Sequence, residues 1–306
     1  MKPMIEADID RYGALIRPSY LADYMELLAL RGLKSTIAQI GDMVEDRWGL
    51  KREIITTPDD DTGESVENYT AAAFACIFER REILGDAYPF IVHTSHIETR
   101  PDLDLHGSPY VALLALTLAH AYKIQVGVDV RRAFEEIVAE GLAGVGFTVA
   151  NVGRLSRQNS MDFTKTIQAV SSYINIRMDP GAATRRANAN DGGVDVVGHL
   201  DWGDGRSGRW IVLGQATCGT SDTWEAKLGE PKPEMWRKMM GEPVLPERFL
   251  AVPHHVDERA YRLISENNVL AVVDRSRLVP LVSTSIDSLS SVVDMVMAQP
   301  IESNQV

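Results

Sequence analysis

The stretch from Gly193 to Ala216, "GVDVVGHLDWGDGRSGRWIVLGQA", decides the fold that the sequence predicts. Two apolar runs, "GVDVVGHL" and "RWIVLGQA", flank the charged, glycine-rich segment "DWGDGRSG". Apolar runs separated by turn residues in this way are typical of a β-hairpin. Because side chains alternate along a strand, the pairing brings Asp195 and Gln215 near each other on one face.

Further elements are predicted on both sides of this hairpin. Upstream, "VDVRRAFEEIVAEGLAGVG" has the apolar period of a helix, with Asp129 as its N-cap, and it leads into a strand in "FTVANVG". The segment "MDFTKTIQAVSSYINI" predicts a helical insertion at about residues 155–185. Downstream, "RFLAVP" and "VLAVVD" predict short strands, and residues 286–297 predict the last helix. This pattern predicts an α/β (α+β) fold with a mixed sheet flanked by helices.

The first third of the chain is predicted to be helical. "SYLADYMELLALRG" has an apolar face and ends at a glycine, and "SPYVALLALTLAHAYKI" is so apolar that it predicts a central, buried helix. Between them, "GDAYPFIVH" predicts a turn and a short strand. We therefore predict a helical recognition or oligomerisation domain at residues 1–125 and a second domain at residues 126–306.

Composition limits the classes of function. Among the 306 residues, 45% are hydrophobic and 24% are charged, which is typical of a soluble globular protein, and the net charge is −12. Such a charge argues against generic nucleic-acid binding, which needs clustered basic residues. Local basic clusters are interpreted mainly as solvated surface. They are Arg131–Arg132, Arg154 with Arg157, and Arg185–Arg186.

Cysteine use and the apolar runs bear on localisation. Cys76 and Cys218 are the two cysteines, so neither a disulfide framework nor a zinc knuckle is expected. The N-terminal "MKPMIEADIDRYG" has acids where a signal peptide would be apolar. The longest apolar stretch, "YVALLALTLAHAY", is too short to span a bilayer. We therefore predict a cytoplasmic protein without membrane association.

Asp195 and Gln215 are polar residues within apolar runs, and burying an unpaired carboxylate is costly. A bound Mg²⁺ would supply the compensating charge, because it prefers oxygen ligands such as a carboxylate and an amide. A metal ion there can activate a water that attacks a phosphodiester. Other catalytic patterns are absent from the sequence, including a P-loop and a GxSxG elbow. The pair His254–His255 has no third metal ligand nearby in the sequence.

Three segments in order, "AFEEIVAEGLAGVGFTV", "DGGVDVV" and "IVLGQAT", resemble the PD-(D/E)xK, or restriction-endonuclease-like, nucleases, and look closest to the Mrr-type branch. The resemblance covers about residues 126–227. It implies a Mg²⁺- or Mn²⁺-dependent endonuclease in which Glu135, Asp195 and Gln215 hold the metal. It also implies DNA as substrate, with RNA as a further option, and a role in bacterial anti-phage defence or restriction. A homo-oligomer or a partner subunit, such as an ATPase, helicase or sensor, is expected to complete the DNA contact.

The sequence departs from the family pattern at one position. The family lysine belongs two residues after Gln215, where this chain has the uncharged Thr217. Either the protein is an inactive nuclease-fold scaffold or regulatory subunit, or Lys227 supplies the ammonium from a helix that Asp222 caps, as migrated lysines do in this superfamily.

Structural alternatives remain for the other residues of this pattern. Lys227 and Glu135 could lie at the surface, with Glu136 or Glu140 as the inward acid. Asp195 could have a structural role, for instance as a cap of the hairpin, and Gln215 could satisfy backbone groups. Trp224 is interpreted as a core anchor.

Overall fold

Helices form most of the first part of the fold, and a five-stranded sheet organises the second. The computed structural model describes residues 13–33, 36–42, 66–182, 192–268, 271–283 and 285–300. Its helices are α1 (Gly13–Leu30), α2 (Ile37–Asp42), α3 (Val66–Leu84), α4 (Pro109–Ala121), α5 (Val130–Val145), α6 (Val152–Gln158), α7 (Phe163–Ile174), α8 (Trp224–Leu228), α9 (Pro233–Met240), α10 (Glu258–Asn268), α11 (Arg275–Leu278) and α12 (Ser290–Met297). Its strands are β1 (Phe90–Val92), β2 (Ile97–Thr99), β3 (Thr148–Asn151), β4 (Val196–Leu200), β5 (Trp210–Ala216), β6 (Glu247–Ala251) and β7 (Ala271–Val273).

The large sheet is mixed, as the sequence predicts. Its strand order is β3–β4–β5–β6–β7. Strands β3, β4 and β5 are antiparallel neighbours, whereas β6 runs parallel to both β5 and β7. The predicted hairpin is β4–β5, with Val196 opposite Gly214 and Leu200 opposite Trp210. A separate two-stranded antiparallel sheet joins β1 and β2.

The turn between β4 and β5 is formed by short aspartates and glycines. The Asp201 carboxylate accepts a hydrogen bond from the Gly203 N–H at 3.0 Å, and Asp204 accepts one from the Arg206 N–H at 3.0 Å. Gly203 has a φ of +73°, a conformation that L side chains rarely adopt. Both aspartates therefore stabilise the turn through their own backbone.

Helices cover both faces of the large sheet. Val196 packs into a core cluster with Phe134 of α5, and the neighbouring Val197 packs into a different cluster with Ile167 of α7 and Trp236 of α9. Successive strand residues point to opposite faces, so each cluster lies on its own side of the sheet. Burial on both faces explains why these strands are apolar along their length. The predicted mixed α/β fold with flanking helices is confirmed.

Two strands approach closely at the centre of the sheet. Gly214 of β5 lies beside Phe249 of β6 in the strand register. A Cβ atom at Gly214 would lie 1.9 Å from Cζ of the Phe249 ring. The aromatic ring therefore occupies the space above the glycine, and no larger residue fits there without a shift.

The helical front and the sheet share one core. The largest hydrophobic cluster contains residues from both sides of the predicted boundary at residue 125, including Leu21 of α1 and Phe249 of β6. The boundary therefore separates a mostly helical segment from a sheet-containing one, and apolar packing continues across it.

A buried ionic cluster crosses the same boundary. Arg275 of α11 binds both carboxylate oxygens of Asp23 at 2.9 Å, and Arg80 of α3 lies 2.8 Å from both Asp23 and Glu26. The hydroxyl of Tyr110 donates to Glu26. All five side chains are buried. Burial alone would raise the pKa of Asp23, but the charges of Arg275 and Arg80 lower it below its usual value.

The helix α6 begins earlier than the helical insertion that the sequence predicts at about residues 155–185. The segment "FTVANVG" predicts a strand throughout, but β3 ends at Asn151 and α6 begins at Val152. The Asn151 side chain accepts from the Arg154 N–H at 2.7 Å and so caps α6. The predicted helix α7 is present and is capped by Asp162. Residues 183–191, which include the end of the predicted insertion and the pair Arg185–Arg186, lie outside the described residues.

Cys76 and Cys218 are buried free thiols, and burial raises the pKa of Cys76 to about 12. Within the described residues, every helix is either too short or too polar to cross a membrane.

Candidate functional site

A cavity of about 240 Å³ lies where α5, α6 and the start of β4 meet. It brings together two of the predicted site residues and three arginines. Its lining consists of Asp129, Arg131, Arg132, Glu135, Gly153, Ser156, Arg157, Met161 and Asp195.

Glu135 reaches this cavity from α5. Asp129 caps that helix by accepting from the N–H groups of Arg131 and Arg132, which confirms the predicted N-cap. Glu135 is 8% exposed, whereas Glu136 is exposed. Of these two neighbouring acids, Glu135 is therefore the one that faces inward.

The alternative Glu140 has a different partner. Its carboxylate accepts from the Ser283 N–H at 2.7 Å. Because Glu140 lies outside the cavity lining, Glu135 is the acid of α5 that the cavity contains.

Asp195 is held by backbone contacts at the start of β4. Its Oδ2 accepts from the Ala216 N–H of β5 at 2.9 Å. Its backbone carbonyl accepts from the Val152 N–H at 2.7 Å and from the Gly153 N–H at 3.2 Å, at the beginning of α6. Its own N–H donates to the Gly214 carbonyl. These contacts fix the carboxylate at the point where the hairpin meets α6.

Arg157 of α6 is the cation in contact with Glu135. Its Nη2 lies 2.8 Å from Oε2 of Glu135, and its Nη1 lies 3.3 Å from Oε1. Burial opposes the charge of Arg157, but the hydrogen bond and charge of Glu135, together with the charges of Asp129 and Asp195, raise its pKa. The guanidinium therefore remains charged beside both acids.

Three arginines of the basic clusters line the cavity. Arg131 and Arg132 are solvent-exposed, as the sequence predicts, whereas Arg157 is partly buried against Glu135. The sequence does not assign Arg157 to the site, because it does not show that α6 begins at Val152 and directs this side chain towards Glu135. The available signal was Asn151 as an N-cap three residues before Arg154.

Gly153 allows α6 to approach Glu135 closely. A Cβ atom at this position would lie 2.5 Å from Oε2 of Glu135 and 3.0 Å from its carboxyl carbon. A larger residue would therefore displace the carboxylate that Arg157 holds.

Gln215 lies beside the Gly192–Gly193 turn instead of lining the cavity. Its Nε2 donates to the Gly193 carbonyl at 2.7 Å, and its side chain is buried. Within the described part of the chain, its Oε1 has no hydrogen-bond partner. A buried amide oxygen without a partner is costly, and it is a potential ligand for a cation.

The lysine position of the family pattern has a structural role here. The Thr217 hydroxyl accepts from the Gly219 N–H at 3.1 Å and so stabilises the turn after β5. The predicted substitute, Lys227, lies on the short helix α8 and forms an ion pair with Glu230 at 3.0 Å. Lys227 is not among the residues that line the cavity. Its catalytic role stays a prediction.

The helix that carries Lys227 is anchored by an aromatic residue. Trp224 is fully buried, and its indole N–H donates to the Gly219 carbonyl at 3.0 Å, so it is a core anchor as expected. Thr223 precedes α8 without a side-chain cap. The side chain of Asp222, the predicted cap, lies outside what the structure describes.

The two adjacent histidines are buried in the core. His254 Nε2 lies 3.1 Å from the Gly219 carbonyl, and His255 Nδ1 lies 2.8 Å from the Ser276 hydroxyl. Burial lowers the pKa of His254 from 6.5 to about 4. His254 is therefore neutral at pH 7 and stabilises backbone structure at the end of β5.

A larger cavity, of about 330 Å³, lies elsewhere, around the segment that precedes α4. The aspartates that line it, Asp86, Asp102 and Asp104, are exposed, and Arg100 lies 3.4 Å from Asp102. We favour the smaller cavity as the functional site because it contains a buried acid paired with a cation beside a second acid.

Comparisons with protein-family models, with curated proteins and with solved structures found no match for this chain. The donor atoms at the cavity and beside it indicate which ion they suit. Glu135 and Asp195 contribute carboxylate oxygens, and Gln215 contributes a buried amide oxygen without a partner. Such hard oxygen ligands suit Mg²⁺ or Mn²⁺ rather than a thiolate-seeking metal. The donor set therefore fits the predicted cofactor in chemical type.

Proposed function

We propose that this protein is a metal-dependent nuclease that hydrolyses DNA phosphodiester bonds at the cavity between α5, α6 and β4. The observation that carries the proposal is the meeting of Glu135 and Asp195 with three arginines in one cavity. Acids at such a site can hold a divalent cation, and arginines can bind phosphate oxygens in a forked geometry. Together they suit a charged phosphodiester and its transition state.

The acids of the cavity would hold the cation. Asp195 is fixed by the Ala216 N–H, and Glu135 would exchange part of its contact with Arg157 for the metal. The amide oxygen of Gln215 is the third proposed ligand. When bound, Mg²⁺ or Mn²⁺ lowers the pKa of a coordinated water and stabilises charge on the phosphate oxygens.

The arginines would bind and stabilise the phosphate. Arg157 cannot act as a general base, because a guanidinium stays protonated in proteins. Its role would be to offset the negative charge that develops on the phosphate in the transition state. Arg131 and Arg132, at the exposed edge of the cavity, would orient the neighbouring phosphates.

The order of elements supports the same assignment. Glu135 on α5, Asp195 immediately before β4 and Gln215 on β5 follow one another in the order of the three segments that resemble PD-(D/E)xK nucleases. Thr217 leaves the lysine position without charge. For Lys227 to contribute, it would have to leave its ion pair with Glu230.

Partners are needed on electrostatic grounds. The net charge of −12 opposes tight binding of a long duplex, and the arginines at the cavity are a local exception. A homo-oligomer, or a partner such as an ATPase, helicase or sensor, would supply the remaining basic surface. This arrangement is consistent with the proposed role in bacterial defence or restriction.

A second candidate function is a nuclease-fold scaffold or regulatory subunit without activity. Two observations favour it: the Thr217 hydroxyl is used in a turn, and the Lys227 ammonium is paired with Glu230. Such a protein would bind the phosphates of a nucleic acid at the arginines without cleaving the phosphodiester bonds.

The discriminating experiment is a cleavage assay on supercoiled plasmid DNA with Mg²⁺ or Mn²⁺, alone and with EDTA. Parallel reactions contain a single-stranded DNA and an RNA oligonucleotide, and an electrophoretic shift assay measures binding. Metal-dependent nicking supports the nuclease, whereas binding without cleavage in every reaction supports the scaffold.

Two variants separate the proposed cations. Arg157→Ala is expected to reduce cleavage by at least about 100-fold, since one oriented charge contributes roughly 3 kcal/mol in a catalytic site. If Lys227→Ala loses as much activity and Arg157→Ala loses little, the catalytic cation is Lys227 and not Arg157. The exposed Arg259→Ala serves as a control for the loss of one positive charge.

A further inference from the structure

A second cluster of potential metal ligands lies on the β1–β2 hairpin, away from the nuclease cavity. Strands β1 and β2 pair with Val92 opposite Ile97, and the His93 N–H donates to the His96 carbonyl at 2.9 Å. His93 and His96 therefore face each other across the two-residue turn. Their rings are stacked, with centroids 4.4 Å apart and planes within 9°. Glu98 lies two residues further along β2, so it shares a face with His96.

The ligand atoms of these three residues are already close together. His96 Nε2 lies 3.0 Å from Oε1 of Glu98, and His93 Nε2 lies 3.9 Å from Oε2 of Glu98. One ligand atom from each residue lies within 4.8 Å of the other two. A tetrahedral Zn²⁺ with bonds of about 2.0–2.1 Å separates its ligands by roughly 3.3–3.4 Å. Small rotations of the side chains would therefore bring all three into coordination.

Neighbouring groups support this geometry. The Ser95 hydroxyl lies 3.4 Å from Nδ1 of His96, which leaves Nε2 directed at Glu98. A partner at one imidazole nitrogen orients the other for metal binding. An isolated bridge from Thr36 to His96 ties the turn to the segment before α2. The hairpin backbone is thus held in place before any ion binds.

The site is open to solvent. The side chains of His93, His96 and Glu98 are 43%, 23% and 42% exposed. An ion held by three protein ligands at such a surface keeps a fourth position for water or another molecule. Two imidazoles and one carboxylate favour Zn²⁺ over Mg²⁺, because Mg²⁺ prefers oxygen ligands throughout.

We propose that His93, His96 and Glu98 form a Zn²⁺ site with one open coordination position. Its ligands lie on the β1–β2 hairpin, whereas the nuclease acids lie on α5 and at the start of β4. The site is chemically and spatially separate from the proposed Mg²⁺ ligands, so the two proposals can succeed or fail independently.

The test is a titration of the full chain, with any affinity tag removed, by ZnCl₂ in an isothermal calorimeter. Wild type is expected to bind one Zn²⁺ per chain with a dissociation constant below about 1 μM. His96→Ala is expected to weaken binding by at least about 100-fold, and Glu98→Gln by about tenfold or more. Excess MgCl₂ should not compete.

The control and the spectroscopic readout make the result specific. His106→Ala removes another exposed histidine beside an acid, Asp294 at 2.9 Å, and should leave Zn²⁺ affinity unchanged. Co²⁺ added to wild type should give the visible absorption of a tetrahedral ion, and this absorption should be lost in His96→Ala. Circular dichroism checks that each variant is folded. The proposal is overturned if wild type binds no Zn²⁺ below about 100 μM, or if His96→Ala and Glu98→Gln both bind as tightly as wild type.

Discussion

Replacing Arg275 with alanine tests the buried ionic cluster that joins the helical front to the sheet. Arg275 is fully buried and donates to both oxygens of Asp23 at 2.9 Å, to the Thr117 hydroxyl at 3.1 Å and to the Pro253 carbonyl at 2.9 Å. In the variant, Asp23 keeps Arg80 at 2.8 Å as one remaining cation. Breaking a buried pair from one side typically costs about 3–5 kcal/mol, because the other charge stays buried with fewer partners.

Urea unfolding followed by circular dichroism and tryptophan fluorescence measures this loss. We expect the free energy of unfolding of Arg275→Ala to fall by about 3–5 kcal/mol, which lowers the urea midpoint by roughly 1 M or more in a chain of this size. Arg262→Ala, which removes an exposed pair with Glu258, is the matched control and should leave the urea midpoint nearly unchanged. A loss below about 1 kcal/mol for Arg275→Ala would refute the reasoning, since the cluster would then be no stronger than a surface pair.

Three further variants test other parts of the structure. Burial lowers the pKa of His254 from 6.5 to about 4, so the unfolded state binds the proton first as the pH falls. The free energy of unfolding should therefore decrease by about 2 kcal/mol between about pH 7 and pH 5. In His254→Gln, the urea midpoint should decrease less over the same pH range. Gly214→Ala places a methyl group against the Phe249 ring and should lower the free energy of unfolding by at least about 2 kcal/mol. The control Gly41→Ala, on a helix and with its nearest neighbouring atom at 3.9 Å, should be neutral or stabilising. Equal effects of the two substitutions would contradict the close approach of Gly214 and Phe249. Gly153→Ala displaces the Glu135 carboxylate and should reduce cleavage by at least about tenfold, while the free energy of unfolding falls by less than about 2 kcal/mol. Unchanged cleavage would contradict the proposed role of Glu135.

The sequence predicts most of the sheet because local signals and tertiary structure agree there. The hairpin between β4 and β5 follows from two apolar runs around a turn whose aspartates bond their own backbone. Asp129 marks the start of α5 because its side chain caps the helix, as the sequence indicates. These features depend on residues that are close together in the sequence, so the sequence alone predicts them.

The composition of the cavity could not be predicted in the same way. Arg157 contacts Glu135 across 22 positions, and the contact depends on α6, a short helix whose N-cap Asn151 also ends a strand. Short helices have little periodicity to detect, so the sequence did not indicate that Arg157 faces Glu135. The pairing of Arg275 with Asp23 spans 252 positions and has no local signal at all.

The candidate site residues also divide into those that the local sequence predicts and those that depend on tertiary contacts. The inward direction of Glu135 follows from the apolar stripe of α5, because Phe134 and Ile137 on either side of it are buried. The partner of Lys227 depends instead on how α8 and the loop after it fold, and that loop places Glu230 within 3.0 Å of the ammonium. The proposed catalytic cation therefore differs between the sequence, which suggested Lys227, and the cavity, which contains Arg157.

The initial rate of plasmid nicking by Asp195→Asn, measured beside wild type in Mg²⁺ and in Mn²⁺, tests the proposed nuclease most directly. An asparagine oxygen can still accept from the Ala216 N–H, so the hairpin should keep its structure and its unfolding midpoint. We expect wild type to cleave only with the divalent cation and the variant to be slower by at least about 100-fold, because a neutral amide binds the metal far less well than a carboxylate. Cleavage by Asp195→Asn within about threefold of wild type, or no cleavage by wild type with either cation, would contradict the account.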